Sequence, residues 1–256
     1  MLAFAALIAL SPKATDYSKP ALLSSSRACA PGRRFLVGLE FKIKPGWHVY
    51  WHNPGDSGQE IRVKWSLPAG WQAGPLMWPT PEVMLDTGFV NYGYEKQVTL
   101  LCWITPASRK GTIRANLDWL VCDKEMCLPG KRVVSLPIPT ANASVTAIAA
   151  ALERVPQPLR GQADARLAGK TVTLRVELPK GAKATEFMPF DPAVIHNSAR
   201  QNVSTVGDSA VFKLDRSEYF DPKRARLRGI VVGQGASPHS SFFNEIDVPL
   251  ERTSGG

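Results

Sequence analysis

Cys122 and Cys127 are the residues best suited to covalent chemistry: two thiols separated by Asp123, Lys124, Glu125 and Met126. Ile113, Ala115, Leu117, Trp119 and Val121 alternate on the inward side of the segment leading into them, which places Cys122 in the outward-facing set at a strand's end. If residues 123–126 form a hairpin turn, the two Cα atoms come within about 4.5–5.5 Å, the reach of a disulfide. A bridge over so short a loop removes little chain entropy from the unfolded state compared with one closing ~100 residues. The pair is therefore better placed for exchange than for stapling. In exchange, a thiolate attacks a disulfide sulfur and a neighbouring thiol then releases the product. Asp123 and Glu125 would raise a nearby thiol's pKa and Lys124 would lower it, so charge leaves open which sulfur is the more acidic. A structural hairpin disulfide, half a zinc site and two reduced thiols are the other readings. Zinc is disfavoured because no second Cys or His pair at ligand spacing follows.

The elements that must hold this pair are short strands. Alternating runs at 35–43, 47–51, 63–65, 98–104, 113–122 and 133–138 are punctuated by turns such as Pro45-Gly46 and Asn53-Pro54-Gly55-Asp56, the pattern of a β-sandwich. All seven tryptophans fall between Trp47 and Trp119, so the two halves have different cores. Residues 140–158 read as a linker helix: Ser144 as its cap, Val145, Ile148, Leu152 and Val155 at helical spacing, and Pro156 and Pro158 as the stop. Strand patterns return at 171–178, 211–214, 227–232 and 246–250, predicting a second small sandwich. The expected divisions are a leader over 1–26, a first sandwich over 27–140, a linker helix over 141–160 and a second sandwich over 161–253.

Composition sets the remaining bounds. The chain has 256 residues, 44% hydrophobic and 21% charged, a globular mix that excludes a wholly disordered chain. Its 21 prolines and 20 glycines argue against an all-α bundle. The net charge of +9 is scattered among acidic residues, so nucleic acid is not expected as a partner. In the most basic stretch, Arg224, Arg226 and Arg228 share one face of a strand and read as a solvated surface, since no aromatic residues interleave them. Residues 2–10, LAFAALIAL, have the length of a secretory signal core, although no Lys or Arg precedes them. No later run approaches the ~20 apolar residues of a membrane span.

Other chemical candidates are weaker. His48 and His52 have the spacing of a helical metal pair, but the turns on either side make the run extended, which would hold them ~13 Å apart. No metal or cofactor is expected. Cys102 is in phase with Val98, Leu100 and Ile104 and should face inward as a small hydrophobe. Cys29 and Cys102 could bond each other and clamp the amino-terminal segment to the sheet; a free buried Cys102 is the equal alternative. The tryptophans should be mostly core, with one or two on a docking face. His196 and His239 are isolated and lack paired carboxylates.

Four ordered motifs, GWHVYWHNPGDSG (46–58), MWPTPE (77–82), NYGYEKQVTL (91–100) and LDWLVCDKEMCLPG (117–130), resemble the amino-terminal periplasmic domain of the DsbD family of thiol:disulfide interchange proteins, in the longer branch typified by ScsB. The resemblance covers roughly residues 27–140. It implies an immunoglobulin-like domain, so the expected fold is all-β: two immunoglobulin-like β-sandwich domains joined by a short helical linker. It also implies that Cys122 and Cys127 cycle between dithiol and disulfide, with Cys127 forming mixed disulfides and Cys122 resolving them. The segment 86–94 matches the family's cap, whose Asp86, Phe89, Tyr92 and Tyr94 would shield the sulfurs; Asn91 stands where DsbD itself carries an aromatic residue.

The function so implied is that of a periplasmic protein-disulfide reductase module in a Gram-negative-type bacterium. Electrons would come from a membrane-embedded DsbD/ScsB-type reductase domain and pass to an oxidised thioredoxin-like or isomerase protein. The contrasting expectation is a non-catalytic sandwich that binds a partner, has a merely structural hairpin disulfide and is linked to copper tolerance.

Overall fold

The computed structural model describes residues 12–86, 88–141, 143–237 and 240–252. Its first half comprises α1 (Ala14–Tyr17), β1 (Ser18–Ser24), β2 (Phe35–Ile43), β3 (His48–Gly55), β4 (Arg62–Ser66), β5 (Gln72–Met77), β6 (Glu82–Asp86), β7 (Phe89–Glu95), β8 (Gln97–Thr105), β9 (Gly111–Cys122) and β10 (Cys127–Ile138). One sheet has the order β1-β2-β8-β5 and the other β10-β9-β3-β7-β6, with β4 added alongside β9. Alternation decides which side chains fill the space between them. Val37, Leu39 and Phe41 of β2 and Val98, Leu100, Cys102 and Ile104 of β8 meet Trp119 and Val121 of β9, Val49 and Trp51 of β3, and Tyr92 and Tyr94 of β7. Phe41 and Trp119 touch edge to face at 5.5 Å.

The expected leader is too long. Residues 1–11, the apolar run included, lie outside the described residues, but α1 and β1 belong to the sandwich. β1 pairs with β2 from Ser18↔Ile43 to Ser24↔Val37, and the hydroxyl of Ser18 accepts a hydrogen bond from Trp119 Nε1 at 2.8 Å. The SKPALLS stretch alternates buried and less buried residues as an edge strand does.

Unlike a half-solvated strand, β2 is buried on almost every residue. Its outer face is covered by α2 (Val145–Glu153), whose Ile148 and Ala151 pack on Leu36 and Leu101. The helix stands where the sequence predicts it, with two corrections. Ser144 makes no side-chain cap bond, and Val145 and Leu152 are exposed rather than buried. At 3.6 residues per turn, positions 148, 151 and 155 share the contact face, while 145 and 152 lie at its margin. Arg154 at the helix end exchanges hydrogen bonds with Thr80, so this segment is fastened to the first half.

The second half contains β11 (Gln157–Pro158), β12 (Ala163–Ala168), β13 (Thr171–Glu177), β14 (Lys183–Pro189), β15 (Asn202–Val206), β16 (Ser209–Asp215), β17 (Arg226–Gln234) and β18 (Ser241–Arg252). The long β18 pairs antiparallel with β17 over residues 241–249 and parallel with β12 over 250–252. It thus passes from one sheet, with β14, β17 and β11, into the other, with β12, β13, β16 and β15. Leu174, Phe187, Phe212, Val231 and Ile246 fill the space the two layers enclose. The all-β, immunoglobulin-like character of the expectation holds.

The two halves share core material. Met188 of β14 and Ile230 of β17 join the buried cluster of the first half, and Phe190 packs on Trp51 with ring centroids 5.7 Å apart. Asn53, wholly buried, donates from Nδ2 to the Pro189 carbonyl at 2.7 Å. Asn197 donates to Asp56 at 2.8 Å and accepts from the Tyr92 hydroxyl at 3.3 Å.

Candidate redox site

β9 and β10 form a twelve-rung antiparallel ladder that ends on the pair Cys122↔Cys127. The turn beyond it is built by Asp123. Its Oδ1 accepts the amides of Glu125 and Met126, both at 2.8 Å, and its own amide donates to the Met126 carbonyl at 3.0 Å. Such an Asx turn satisfies the backbone donors of a tight reversal. The Met126 and Glu125 amides hold the Asp123 carboxyl below its usual pKa, so its negative charge is committed to the turn. The two cysteines are bonded, with S–S 2.01 Å and Cα–Cα 4.1 Å.

The two sulfurs are not equivalent. Cys127 opens the edge strand β10 and is exposed, as are Lys124, Glu125 and Met126 before it. Cys122 has the outward parity that alternation predicts, yet only 1% of it is accessible. This corrects the expectation of an outward-facing Cys122: its flanks are occupied by Cys127 on β10 and by His48 on β3, its register partner on the other side. An incoming thiolate or disulfide can therefore meet Cys127 but not Cys122.

The residues expected to cap the pair lie elsewhere. Val49 pairs with both Tyr94 and Val121, and His48 with both Glu95 and Cys122, so it is the Glu95 end of β7 that adjoins the disulfide. Phe89 is six residues back along β7, about 20 Å at the rise of a strand. It is exposed and borders a cavity of about 450 Å³ with Pro192, His196 and Tyr219 from the second half. Tyr92 and Tyr94 face the core. The Tyr94 hydroxyl donates to the Pro79 carbonyl at 2.6 Å, and burial pushes both phenols above their ordinary pKa. The backbone of Asp86 pairs with Phe89 at the hairpin end. The expected shield over the sulfurs is thus corrected: Tyr92 and Phe89 meet the second half, and Tyr94 is tied to Pro79 within the first.

Cys29 and Cys102 are both free, so the clamp between them is not made. The Cys102 thiol points into the sandwich and donates to the Gly74 carbonyl at 3.3 Å, while burial pushes its pKa up to about 11. The Cys29 thiol donates to the Ser108 carbonyl at 3.3 Å. A protonated, buried thiol is a poor nucleophile.

The remaining candidates resolve into structure. His48 and His52 lie on the extended β3, as expected. His52 is enclosed by Trp51, Trp78 and Phe190, and burial lowers its pKa to about 4. Arg226 and Arg228 do share an exposed face, but Arg224 precedes β17, and all three are ion-paired, Arg224 and Arg228 with Asp191 at 2.8 and 2.7 Å and Arg226 with Asp247. His239 lies outside the described residues, and His196 sits 3.3 Å from the Ser198 hydroxyl. Among the described residues no cluster of three metal-ligating side chains occurs, and no helix is long and apolar enough to cross a membrane. The neighbour that sequence reasoning misses is His48: its place beside Cys122 is set by the pairing of β3 with β9, far apart in the chain.

These features define a β-sandwich protein with an accessible disulfide at the end of a hairpin. Residues 19–139 match the family described as thiol:disulfide interchange protein DsbD, N-terminal, in agreement with the motif resemblance. The whole fold overlays on the crystal structure of the N-terminal periplasmic domain of ScsB from Proteus mirabilis with a TM-score of 0.72 and 15% identity, over 95% of this chain and 97% of that one. At that identity the likeness is one of fold. No curated protein matches the sequence.

Proposed function

We propose that this chain is a protein-disulfide reductase module in which Cys127 exchanges with partner proteins and Cys122 resolves the mixed disulfide. The observation that carries the reading is the asymmetry of the bonded pair, one cysteine exposed on an edge strand and the other buried beside it. An exposed sulfur can be attacked or attack, and a protected neighbour within bonding distance can displace whatever becomes attached to it. The family match over residues 19–139 supports thiol:disulfide interchange as the chemistry. In the fuller form of the reading, the module works in the periplasm. It takes electrons from a membrane-embedded reductase domain and passes them to an oxidised thioredoxin-like or isomerase protein.

Equilibration in glutathione buffers of graded potential tests this. The folded protein should interconvert reversibly between dithiol and disulfide, and Cys122→Ala should trap mixed disulfides on Cys127. A bond that resists reduction until the protein unfolds would instead make the bridge a structural staple.

A further inference from the structure

A resolving thiol must lose its proton before it attacks, and burial disfavours the thiolate. Cys122, 1% exposed, has no direct route to bulk water for that proton. Across the sheet from it stands His48. Residues directly opposite on neighbouring strands project from the same face with Cβ atoms about 4.5–5.5 Å apart. Imidazole is the side chain whose ordinary pKa lets it take and return a proton near neutrality. The His48 ring is held in place: Nε2 lies 3.1 Å from the Tyr50 hydroxyl, with the two rings edge to face at 5.0 Å. The charge of His48 is also felt by the Asp123 carboxylate, so the ring borders the turn as well as the strand end. Glu95 on β7 is its register partner on the far side. Cys122, Tyr50, Asp123 and Glu95 all border it.

We infer that His48 is the base for the Cys122 half of the exchange, a role that rests on the reading proposed above. The Cys127 thiolate attacks a substrate disulfide, a Cys127–substrate bond forms, and the first substrate sulfur leaves as a thiolate that is protonated by water. His48 then takes the Cys122 proton, and the Cys122 sulfur attacks Cys127 Sγ. The Cys122–Cys127 bond forms, the Cys127–substrate bond breaks, and the second substrate sulfur leaves with the electron pair and receives the proton from the imidazolium. The protein dithiol loses two electrons and the substrate disulfide gains the same two.

Reduced protein carrying Cys29→Ser is mixed with excess dithiobis(nitrobenzoate) and the release of nitrothiobenzoate is followed in time. The first equivalent reports attack by Cys127 and the second reports resolution by Cys122. His48→Gln should slow the second release at least about tenfold near pH 7 and change the first less than about twofold. In the histidine protein the second rate should inflect with pH in the imidazole range, and the variant should lose that inflection. Added imidazole should restore part of the rate in His48→Gly. His48→Asn, with the bridge reformed and near-ultraviolet circular dichroism intact, controls for folding. A second phase within about twofold of wild type in a folded variant, or an inflection that survives the substitution, overturns the role. Release of a single equivalent by the Cys29→Ser protein with His48 intact would instead overturn the exchange reading itself.

Discussion

Gly130 lies opposite Trp119 in the β9–β10 ladder, and the indole occupies the space that a side chain at 130 would need. A Cβ added there would stand 2.3 Å from ring atom Cε2. Trp119 is wholly buried, tied by Nε1 to Ser18 and packed on Phe41, so it has nowhere to retreat. Gly130→Ala should cost about 1–3 kcal/mol, the usual range for overpacking. Urea unfolding of the oxidised protein checks this; an unchanged midpoint would mean that the ring moves aside.

The position of Phe89 separates the β6–β7 hairpin end from the disulfide. Phe89→Ala should therefore change the rate of bridge reduction by dithiothreitol by less than about twofold. An acceleration of tenfold or more would return this ring to the sulfurs and restore the shielding role implied by the family resemblance.

Asn53 joins the halves by donating from Nδ2 to the Pro189 carbonyl, while its Oδ1 accepts the Gly55 amide within β3 at 3.1 Å. Asn53→Ala leaves both backbone groups without that partner inside the fold, which costs about 1–3 kcal/mol for each that water cannot reach. Hydrogen exchange should quicken selectively at Gly55 and along β14. Unaltered protection there would assign the cohesion of the junction to the rings alone.

Two half-buried titratable groups act in opposite directions on stability. Burial lowers His52 from 6.5 to about 4, with Asp191 opposing and Arg228 adding to the shift. The unfolded chain then binds more protons between those values, and the histidine's contribution is lost as pH falls through that window. Burial raises Glu186 from 4.5 to about 7, so the folded state holds the extra proton and its contribution is lost as pH rises through that window. Each amounts to at most about 3 kcal/mol. Wild-type stability should therefore be nearly flat between about pH 4.5 and 6.5. His52→Gln should lose stability as pH rises across that range, and Glu186→Gln should gain it. Parallel pH profiles for the two variants would refute the opposition.

The hairpin was legible because everything that makes it is local. The alternation from Ile113 to Val121, a turn-forming Asp123 and two cysteines at matching offsets define strand, turn and bridge within the single stretch from Ile113 to Cys127. The inward Cys102 and the position of α2 follow from the same short-range periodicity. The burial of Cys122 does not, because it depends on which strand pairs with the far side of β9. The cap misled for a related reason: motif identity places residues in order along the chain, whereas the register of β7 on β3 decides which end of the hairpin meets the sulfurs. β1 escaped notice because its neighbour is an apolar run with the look of a leader. The junction was hidden too, since Met188 and Ile230 are unremarkable hydrophobes until β14 and β17 bring them beneath Trp51.

That junction bears on how such a protein can be inherited. A gene cut between the halves would strip Met188, Ile230 and Phe190 from the tryptophan-rich layer and leave an apolar wall facing water. Standing alone, the cysteine-bearing half would have to repack or cover that wall to stay dispersed in water.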